Sequence, residues 1–215
     1  VRGTQQSSED AERILVVDFG GQYTQLIARR VREVGVYSEI LPFDASADEV
    51  RAFAPTGIIL SGGPESVGEA GSPQIGDALL AARVPVLGIC YGMQALAAKL
   101  GGAVATADHR EYGYAEVKLT GEDPLLGSLG SQLKVWMSHG DRVEKLPRGF
   151  KAIGSSSNSP LAAMADVERK IYGLQFHPEV THTEHGLDII RRFVLDICGC
   201  GPVWPAKNIG TEHIN

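Results

Sequence analysis

Apolar residues in the first half of the chain occur in short continuous runs separated by amphipathic stretches. Four segments have the length of strands: residues 13–18, 36–41, 57–60 and 84–89, of which the first and the last are typical of buried strands. Between the first two runs, apolar residues recur along one helical face: Tyr23, Ile27, Val31 and Val34. Comparable spacing predicts a short helix ending at Phe53 and helices over 74–83 and 93–100. Alternating strands and helices predict parallel strands joined by right-handed crossovers.

The second half of the chain has a different pattern. Short apolar segments separated by turn residues predict strands at 115–119, 133–137, 150–154, 161–165 and 170–175, which we expect to form antiparallel ribbons. A last helix is predicted over 186–197. The expected fold is therefore α/β. It is a three-layer, open, mostly parallel central sheet with helices on both faces and a small antiparallel β-ribbon portion.

One strand-to-helix junction carries the strongest candidate for chemistry. Residues 88–92 read GICYG, the glycine-x-nucleophile-x-glycine pattern of a nucleophile elbow. Cys90 would lie at a helix N-terminus, where the helix dipole and free N–H groups favour a thiolate. The alternative is a buried structural cysteine.

A cysteine nucleophile needs a base and a group that orients the base. Among six histidines, only His177 has a setting that predicts its geometry, because it follows an expected strand in GLQFHPEV. Glu179 lies two residues on, so both side chains face the same side of extended backbone, with Pro178 restricting the backbone between them. Glu179 could then fix the ring tautomer of His177. A surface His-Pro-Glu turn is the alternative for this tripeptide taken alone.

An oxyanion that forms during acyl transfer needs N–H donors already in place. The amide of Tyr91 follows the nucleophile and is the first candidate donor. The turn at Gly62 and Gly63 could supply the second, although the same residues would also suit an ordinary tight turn. This loop lacks the lysine of a phosphate-binding P-loop.

Composition narrows the remaining classes of function. With 20 Lys and Arg against 26 Asp and Glu, the net charge of −6 argues weakly against nucleic acid as a partner. No apolar run has the length of a membrane-spanning helix, so no membrane association is expected. Three cysteines without a disulfide-framework spacing favour a reducing, cytoplasmic compartment.

A metal site is not expected either. His182 and His185 have no third ligand at a recognisable spacing, and Cys198 and Cys200 lack the C-x-x-C form. Cys198 is expected to be a core residue at the end of the last helix, and Cys200 has no assigned role.

Three of these motifs occur together in order: SGGP at 61–64, GICYGMQ at 88–94 and FHPEV at 176–180. In this combination the chain resembles a class I (triad) glutamine amidotransferase domain over nearly its whole length, from Ile14 to about Ile209. The branch found in glutamine-hydrolysing GMP synthases is the most similar, through the segments at 18–33, 137–141, 177–186 and 193–200. The resemblance implies a flavodoxin-like arrangement of the sheet.

The resemblance also implies roles for individual residues. Cys90 would attack the side-chain amide carbon of L-glutamine and form a γ-glutamyl thioester, while His177 transfers protons and Glu179 orients His177. The backbone at Gly63 and Tyr91 would form the oxyanion hole. The residues expected to bind the substrate are Ser61, Gly62, Gln94, Ser138, His139, Gly140 and Asp141.

The domain organisation that the resemblance implies has three parts: a disordered leader over 1–11, the amidotransferase domain over 12–200, and a linker over 201–215. The linker would lead to an ATP-pyrophosphatase domain, in the same chain or docked, that uses the ammonia to aminate XMP to GMP. ATP and Mg²⁺ are expected only there, and no cofactor is expected in this chain. Two alternatives remain open: a γ-glutamyl or peptide cysteine hydrolase, and a catalytically silent regulatory domain.

Overall fold

The computed structural model describes residues 11–201, so most of the predicted leader and linker lies outside the described residues. Its strands are β1 (Arg13–Asp18), β2 (Tyr37–Pro42), β3 (Gly57–Leu60), β4 (Val86–Ile89), β5 (Ala103–Leu119), β6 (Gln132–Lys145), β7 (Lys151–Ser155), β8 (Ala163–Asp166) and β9 (Ile171–Leu174). Its helices are α1 (Thr24–Glu33), α2 (Ala47–Phe53), α3 (Asp77–Ala81), α4 (Tyr91–Lys99) and α5 (Gly186–Arg191), which continues as a π-helical segment (Arg192–Ile197). The order of elements through α4 is the predicted one.

All strands belong to one nine-stranded sheet in the order β2-β1-β3-β4-β9-β8-β7-β5-β6. The neighbours from β2 to β9 pair in parallel, and those from β9 to β6 pair antiparallel. The antiparallel portion is therefore a continuation of the central sheet. Strand β9 joins the two portions, with β4 parallel on one side and β8 antiparallel on the other.

Helices cover both faces of the parallel portion. Alternate residues of β1 enter opposite cores, with Ile14 and Val16 in one and Leu15 and Val17 in the other. Side chains of α1 and α5 fill the first core, and side chains of α2, α3 and α4 fill the second. These strand residues are almost fully buried because both faces of the sheet are covered, and this explains why the apolar run in the sequence is continuous. The predicted three-layer α/β fold is confirmed.

Strand β5 is much longer than the predicted strand at 115–119, since it begins at Ala103. Its first part was missed because it lacks a regular apolar alternation: a register irregularity separates Thr106 from Glu111, and Tyr112 and Tyr114 are exposed. Strand β6 likewise extends past the predicted end to Lys145. The two form a long ribbon, of which one part lies beside the carboxyl ends of the parallel strands.

Two helix predictions also differ from the structure. Helix α3 is shorter than the predicted 74–83, and the predicted last helix is α-helical only as far as Arg191. Beyond it the hydrogen bonds widen to i→i−5, as where Cys198 N donates to Phe193 O at 2.8 Å. Apolar periodicity detects a helix but not this change of pitch.

Among residues 11–201, no helix is both long enough and apolar enough to cross a membrane.

Candidate active site

Cys90 occupies the junction between β4 and α4 in a backbone conformation that side chains rarely adopt. Its φ is 53° and its ψ is −109°. The conformation is fixed on both sides, because Cys90 N donates to Leu174 O of β9 at 2.7 Å and Cys90 O accepts from Gln94 N at 3.2 Å. Strain at a non-glycine residue persists only where the surroundings impose it. The predicted elbow is therefore present in the structure.

The glycines on either side of Cys90 allow the close approach that the elbow requires. A Cβ placed on Gly88 would lie 2.7 Å from the backbone carbon of Gly92. A Cβ placed on Gly92 would lie 2.6 Å from Leu60 O in β3. Both contacts are with backbone atoms, which cannot move aside as the end of a side chain can.

His177 and Glu179 lie beside Cys90, just after the end of β9. Their side chains meet through His177 Nδ1 and Glu179 Oε1 at 2.6 Å, and both residues are almost fully buried. The backbone of His177 is held from a second direction, because His177 N donates to Trp136 O and the Thr183 hydroxyl donates to His177 O. The ring orientation is thus set by the carboxylate and by a fixed backbone.

The electrostatics of this trio favour a charged imidazole. Burial alone would lower the pKa of His177, but the negative charge of Glu179 and hydrogen bonds with Cys90 and Glu179 outweigh burial and hold that pKa well above its usual value. A protonated His177 in contact with the Cys90 sulfur would favour the thiolate. The arrangement is that of an activated nucleophile with an oriented base.

The loop after β3 brings backbone against both reacting side chains. A Cβ on Gly62 would lie 3.2 Å from His177 Cε1 and 3.7 Å from Cys90 Cβ. Ser61 is fully buried, and its hydroxyl accepts from Phe19 N at 2.9 Å and donates to Gly62 O at 2.8 Å. The Ser61 side chain therefore stabilises the loop, and both of its hydrogen bonds are with backbone atoms.

A cavity of about 230 Å³ opens beside Cys90. Most of the predicted site residues line it: Gly63, Cys90, Tyr91, Gln94, Ser138, His139, Gly140 and Asp141. Ser61 and Gly62 do not line it. The cavity also contains residues that the sequence analysis did not select: Pro64, Glu65, Ser66, Thr106, Arg110 and Tyr112. Three of these come from the part of β5 that was not predicted as a strand.

Gln94 connects two parts of the site through its amide. Gln94 Nε2 donates to Asp141 O at 3.0 Å and to Gln175 Oε1 at 3.2 Å. Gln175 Nε2 in turn donates to Cys90 Sγ at 3.6 Å. Gln175 was missed because an internal glutamine directly before FHPEV has no spacing or charge that distinguishes it.

The side chain of His139 belongs to a buried polar cluster beside the cavity. Its Nδ1 lies 2.7 Å from Asp141 O and its Nε2 lies 3.1 Å from Glu111 Oε1. Both ring nitrogens therefore face oxygen atoms of buried partners, one on the backbone and one on a carboxylate. The hydroxyl of Ser159 also donates to Glu111 Oε1, at 2.7 Å. This cluster fixes the backbone of 138–141 against β5.

The remaining candidate ligands lie apart from one another. The ring of His182 packs against Trp136 at 4.4 Å between centroids, while His185 lies 3.2 Å from the Asp188 carboxylate. Within residues 11–201, no group of three or more such side chains could hold a metal ion. Cys198 is partly buried and packs against the core beside α5, as predicted.

The sequence matches the family model described as "Glutamine amidotransferase class-I" over residues 15–197. Among curated relatives, glutamine-hydrolysing GMP synthase of Pseudomonas aeruginosa strain LESB58 is 57% identical over 214 residues, covering 95% of this chain and 40% of the relative. That of Haemophilus influenzae strain PittGG is 54% identical, covering 92% of this chain and 39% of the relative. The chain thus spans about 40% of the length of these relatives.

Solved structures show the same likeness. One from Thermoplasma acidophilum, described as that of a GMP synthase subunit, is 34% identical with a TM-score of 0.76, covering 88% of this chain and 94% of that one. A glutamine amidotransferase from Thermotoga maritima has a TM-score of 0.63 at 21% identity, covering 95% of this chain and 86% of that one. At this lower identity the likeness concerns the fold alone.

Proposed function

The chain belongs to the class-I glutamine amidotransferase family, and on that premise we propose that it hydrolyses L-glutamine to L-glutamate and ammonia. The observation that supports this proposal is the placement of Cys90, His177 and Glu179. Cys90 lies at a strained elbow on a cavity wall, with a buried, carboxylate-oriented histidine against it. A buried cysteine with only a structural role requires none of these features.

In the first half of the proposed reaction, Cys90 Sγ attacks the side-chain amide carbon of glutamine. The new S–C bond converts the carbonyl into an oxyanion, and His177 donates its proton to the amide nitrogen. The C–N bond then breaks, releasing ammonia and leaving a γ-glutamyl thioester. Glu179 stabilises the imidazolium and keeps Nδ1 protonated, so that the other ring nitrogen exchanges protons with the reacting groups.

In the second half, neutral His177 takes a proton from water as the water oxygen attacks the thioester carbon. The C–S bond breaks, glutamate leaves, and the Cys90 thiolate and the His177 imidazolium are restored. Because the thiolate is a good leaving group, no further acid is needed to expel it.

The surrounding backbone supports both steps in this proposal. The amides of Gly63 and Tyr91 would bind the oxyanion, since both residues line the cavity next to Cys90. The segment 138–141 would bind the α-amino and α-carboxylate groups of glutamine through its backbone, which the contact between His139 and Glu111 helps to hold in place. Gln94 contributes to the same wall of the cavity.

We further propose that the ammonia serves the amination of XMP to GMP in an ATP-pyrophosphatase domain. The names of the relatives support this, as does their greater length, of which this chain spans about 40%. ATP and Mg²⁺ would bind in that domain, and no cofactor is proposed for the residues of this chain. We propose the cytoplasm as the compartment, where Cys90 would remain a reduced thiol.

The test of the proposed activity compares glutamine with γ-glutamyl peptides as substrates, and measures labelling of Cys90 by 6-diazo-5-oxo-norleucine. We expect glutamate release from free glutamine, and an adduct on the Cys90 peptide by mass spectrometry. Preference for γ-glutamyl peptides would instead support the hydrolase alternative. Absence of both turnover and adduct, with the synthase partner present, would support a silent domain.

Glu179→Gln is expected to lower the rate of glutamine hydrolysis by about 10²-fold or more, because the amide loses the charge that stabilises the His177 imidazolium. The side chain keeps its size, so the free energy of unfolding should change far less than the rate. Steady-state kinetics across pH measure the effect, and the limb that reports His177 should move to lower pH. An unchanged rate would remove Glu179 from the proposed mechanism.

Glu111→Gln is expected to raise the KM for glutamine a few-fold and to lower the free energy of unfolding by about 1–3 kcal/mol, since the buried cluster of His139 and Ser159 loses its carboxylate acceptor. Burial tends to raise the pKa of Glu111, but hydrogen bonds from His139 and Ser159 hold it below the usual 4.5. This depressed pKa contributes stability above pH 4.5 that is lost as pH falls through the folded-state pKa, so the variant should show a flatter acid limb of stability.

The matched control for Glu111→Gln is Glu116→Gln, an exposed position on the same strand. It removes the same charge without a buried partner, so denaturant melts and KM should match those of the unchanged chain. Equal effects of the two substitutions would show that net charge, rather than the buried contacts of Glu111, is responsible.

A further inference from the structure

Gln175 is a fully buried side chain adjacent to the nucleophile, and the reaction described above does not use it. It follows the last residue of β9, and its backbone N–H donates to Ala162 O at 2.8 Å. It does not line the cavity, so it is not placed to contact glutamine. Its side chain is therefore held by protein groups alone.

The direction in which the Gln175 amide faces is determined by a backbone carbonyl. Asp141 O can only accept, so the Gln94 amide must present its NH₂ group to it, at 3.0 Å. The same nitrogen of Gln94 lies 3.2 Å from the Gln175 side chain, which must present its oxygen there. The NH₂ group of Gln175 is then left to face Cys90 Sγ, at 3.6 Å.

The sulfur of Cys90 has three polar neighbours with different preferences. Ser138 O lies 3.5 Å away and can pair only with a protonated S–H. His177 and Gln175 present N–H groups, which pair with an unprotonated sulfur. The other titratable groups near this site are Glu179 behind His177, and a set around the cavity: Glu65, Tyr91, Arg110, Tyr112, His139 and Asp141.

We propose that Gln175 is a positioning residue that stabilises the thiolate form of Cys90 and holds Sγ at the mouth of the oxyanion site. The inference rests on the proposed function, because it concerns the nucleophile of that reaction. The hydrogen bonds from Asp141 through Gln94 and Gln175 to Cys90 connect the glutamine-binding segment with the sulfur.

The test follows alkylation of Cys90 by iodoacetamide across pH, with the Cys90 peptide quantified by mass spectrometry so that Cys198 and Cys200 do not contribute. Gln175→Met removes the donor while keeping the size of the side chain. We expect the pH midpoint of alkylation to rise and the rate below the midpoint to fall by about tenfold. Gln175→Glu keeps an acceptor for Gln94 but places a carboxylate near the sulfur, and its midpoint should rise further.

The matched control is Gln132→Met, the same change at the exposed first residue of β6, which should leave the alkylation profile unchanged. A merely structural role for Gln175 would lower the melting temperature without moving the midpoint. Folded Gln175 variants with an unshifted midpoint overturn the inference. If Gln175→Met does not fold, the inference is tested with Gln175→Glu and Gln94→Met. Gln94→Met frees the Gln175 amide to rotate, so it should raise the pH midpoint of alkylation by a smaller amount.

Alkylation requires no glutamine, so this test is independent of glutaminase activity. A shifted midpoint in a chain that never hydrolyses glutamine would support Gln175 as the donor and overturn the proposed function. Normal glutamine hydrolysis with an unshifted midpoint would support the proposed function and overturn the inference about Gln175.

Discussion

Replacing Cys90 by alanine is expected to lower glutamine hydrolysis by about 10⁴-fold or more, because no other side chain on the cavity wall can form the thioester. The fold should persist. Alanine meets the same backbone conformation at φ 53° as cysteine does, and only one buried sulfur atom is lost. We therefore expect the free energy of unfolding to change by no more than about 1–2 kcal/mol.

Glutamate release measures the loss of activity, in the presence of the synthase partner if turnover by the chain alone is low. Cys198→Ala is the matched control, since Cys198 is a partly buried cysteine that does not line the cavity. It should keep full activity and full labelling by 6-diazo-5-oxo-norleucine at Cys90. Retained turnover in Cys90→Ala would exclude Cys90 as the nucleophile.

Gly92→Ala, which adds a single methyl group next to the nucleophile, is expected to destabilise the fold strongly. The added Cβ would lie 2.6 Å from Leu60 O and 2.7 Å from Leu60 Cβ, so α4 and β3 would have to separate. Such overpacking costs about 3 kcal/mol and would also displace Cys90. Denaturant unfolding should show this loss, together with loss of activity.

Gly68→Ala is the control for Gly92→Ala, because a Cβ there meets nothing within 4 Å. Its free energy of unfolding should lie within about 0.5 kcal/mol of that of the unchanged chain. Equal stability of both variants would mean that the close approach of α4 to β3 does not constrain the elbow.

The parallel half of the fold was predictable because most of its strands are buried on both faces and its helices on one, so their apolar patterns are regular; only the edge strand β2 is partly exposed. The candidate trio was predictable for a related reason: Cys90, His177 and Glu179 each sit in a short motif whose backbone geometry fixes their directions. Residues such as Arg110 and Thr106 were not predictable. They reach the cavity from a partly exposed ribbon with irregular register, where the pattern carries little information.

Gln175 and Glu111 show a second limit of the sequence. Their functions depend on which amide or imidazole atom faces which partner, and this follows from contacts between residues separated by 28 to 85 positions. The spacing of neighbouring residues in the sequence does not indicate such contacts. The shift to π-helical bonding after Arg191 was hidden for a different reason, because α- and π-helical turns bury similar apolar stripes.

The position of β9 between β4 and β8 has a consequence for how the site forms during folding. Strands β5 to β8 lie between Cys90 and β9 in the sequence. Strand β9 must therefore pair with β4 across a large separation along the chain. Contacts of this kind form slowly, because a long loop has to close first. We therefore expect the edge of β4 that faces β9 to pair late in folding, so that the reactive thiol acquires His177 only after β9 has docked.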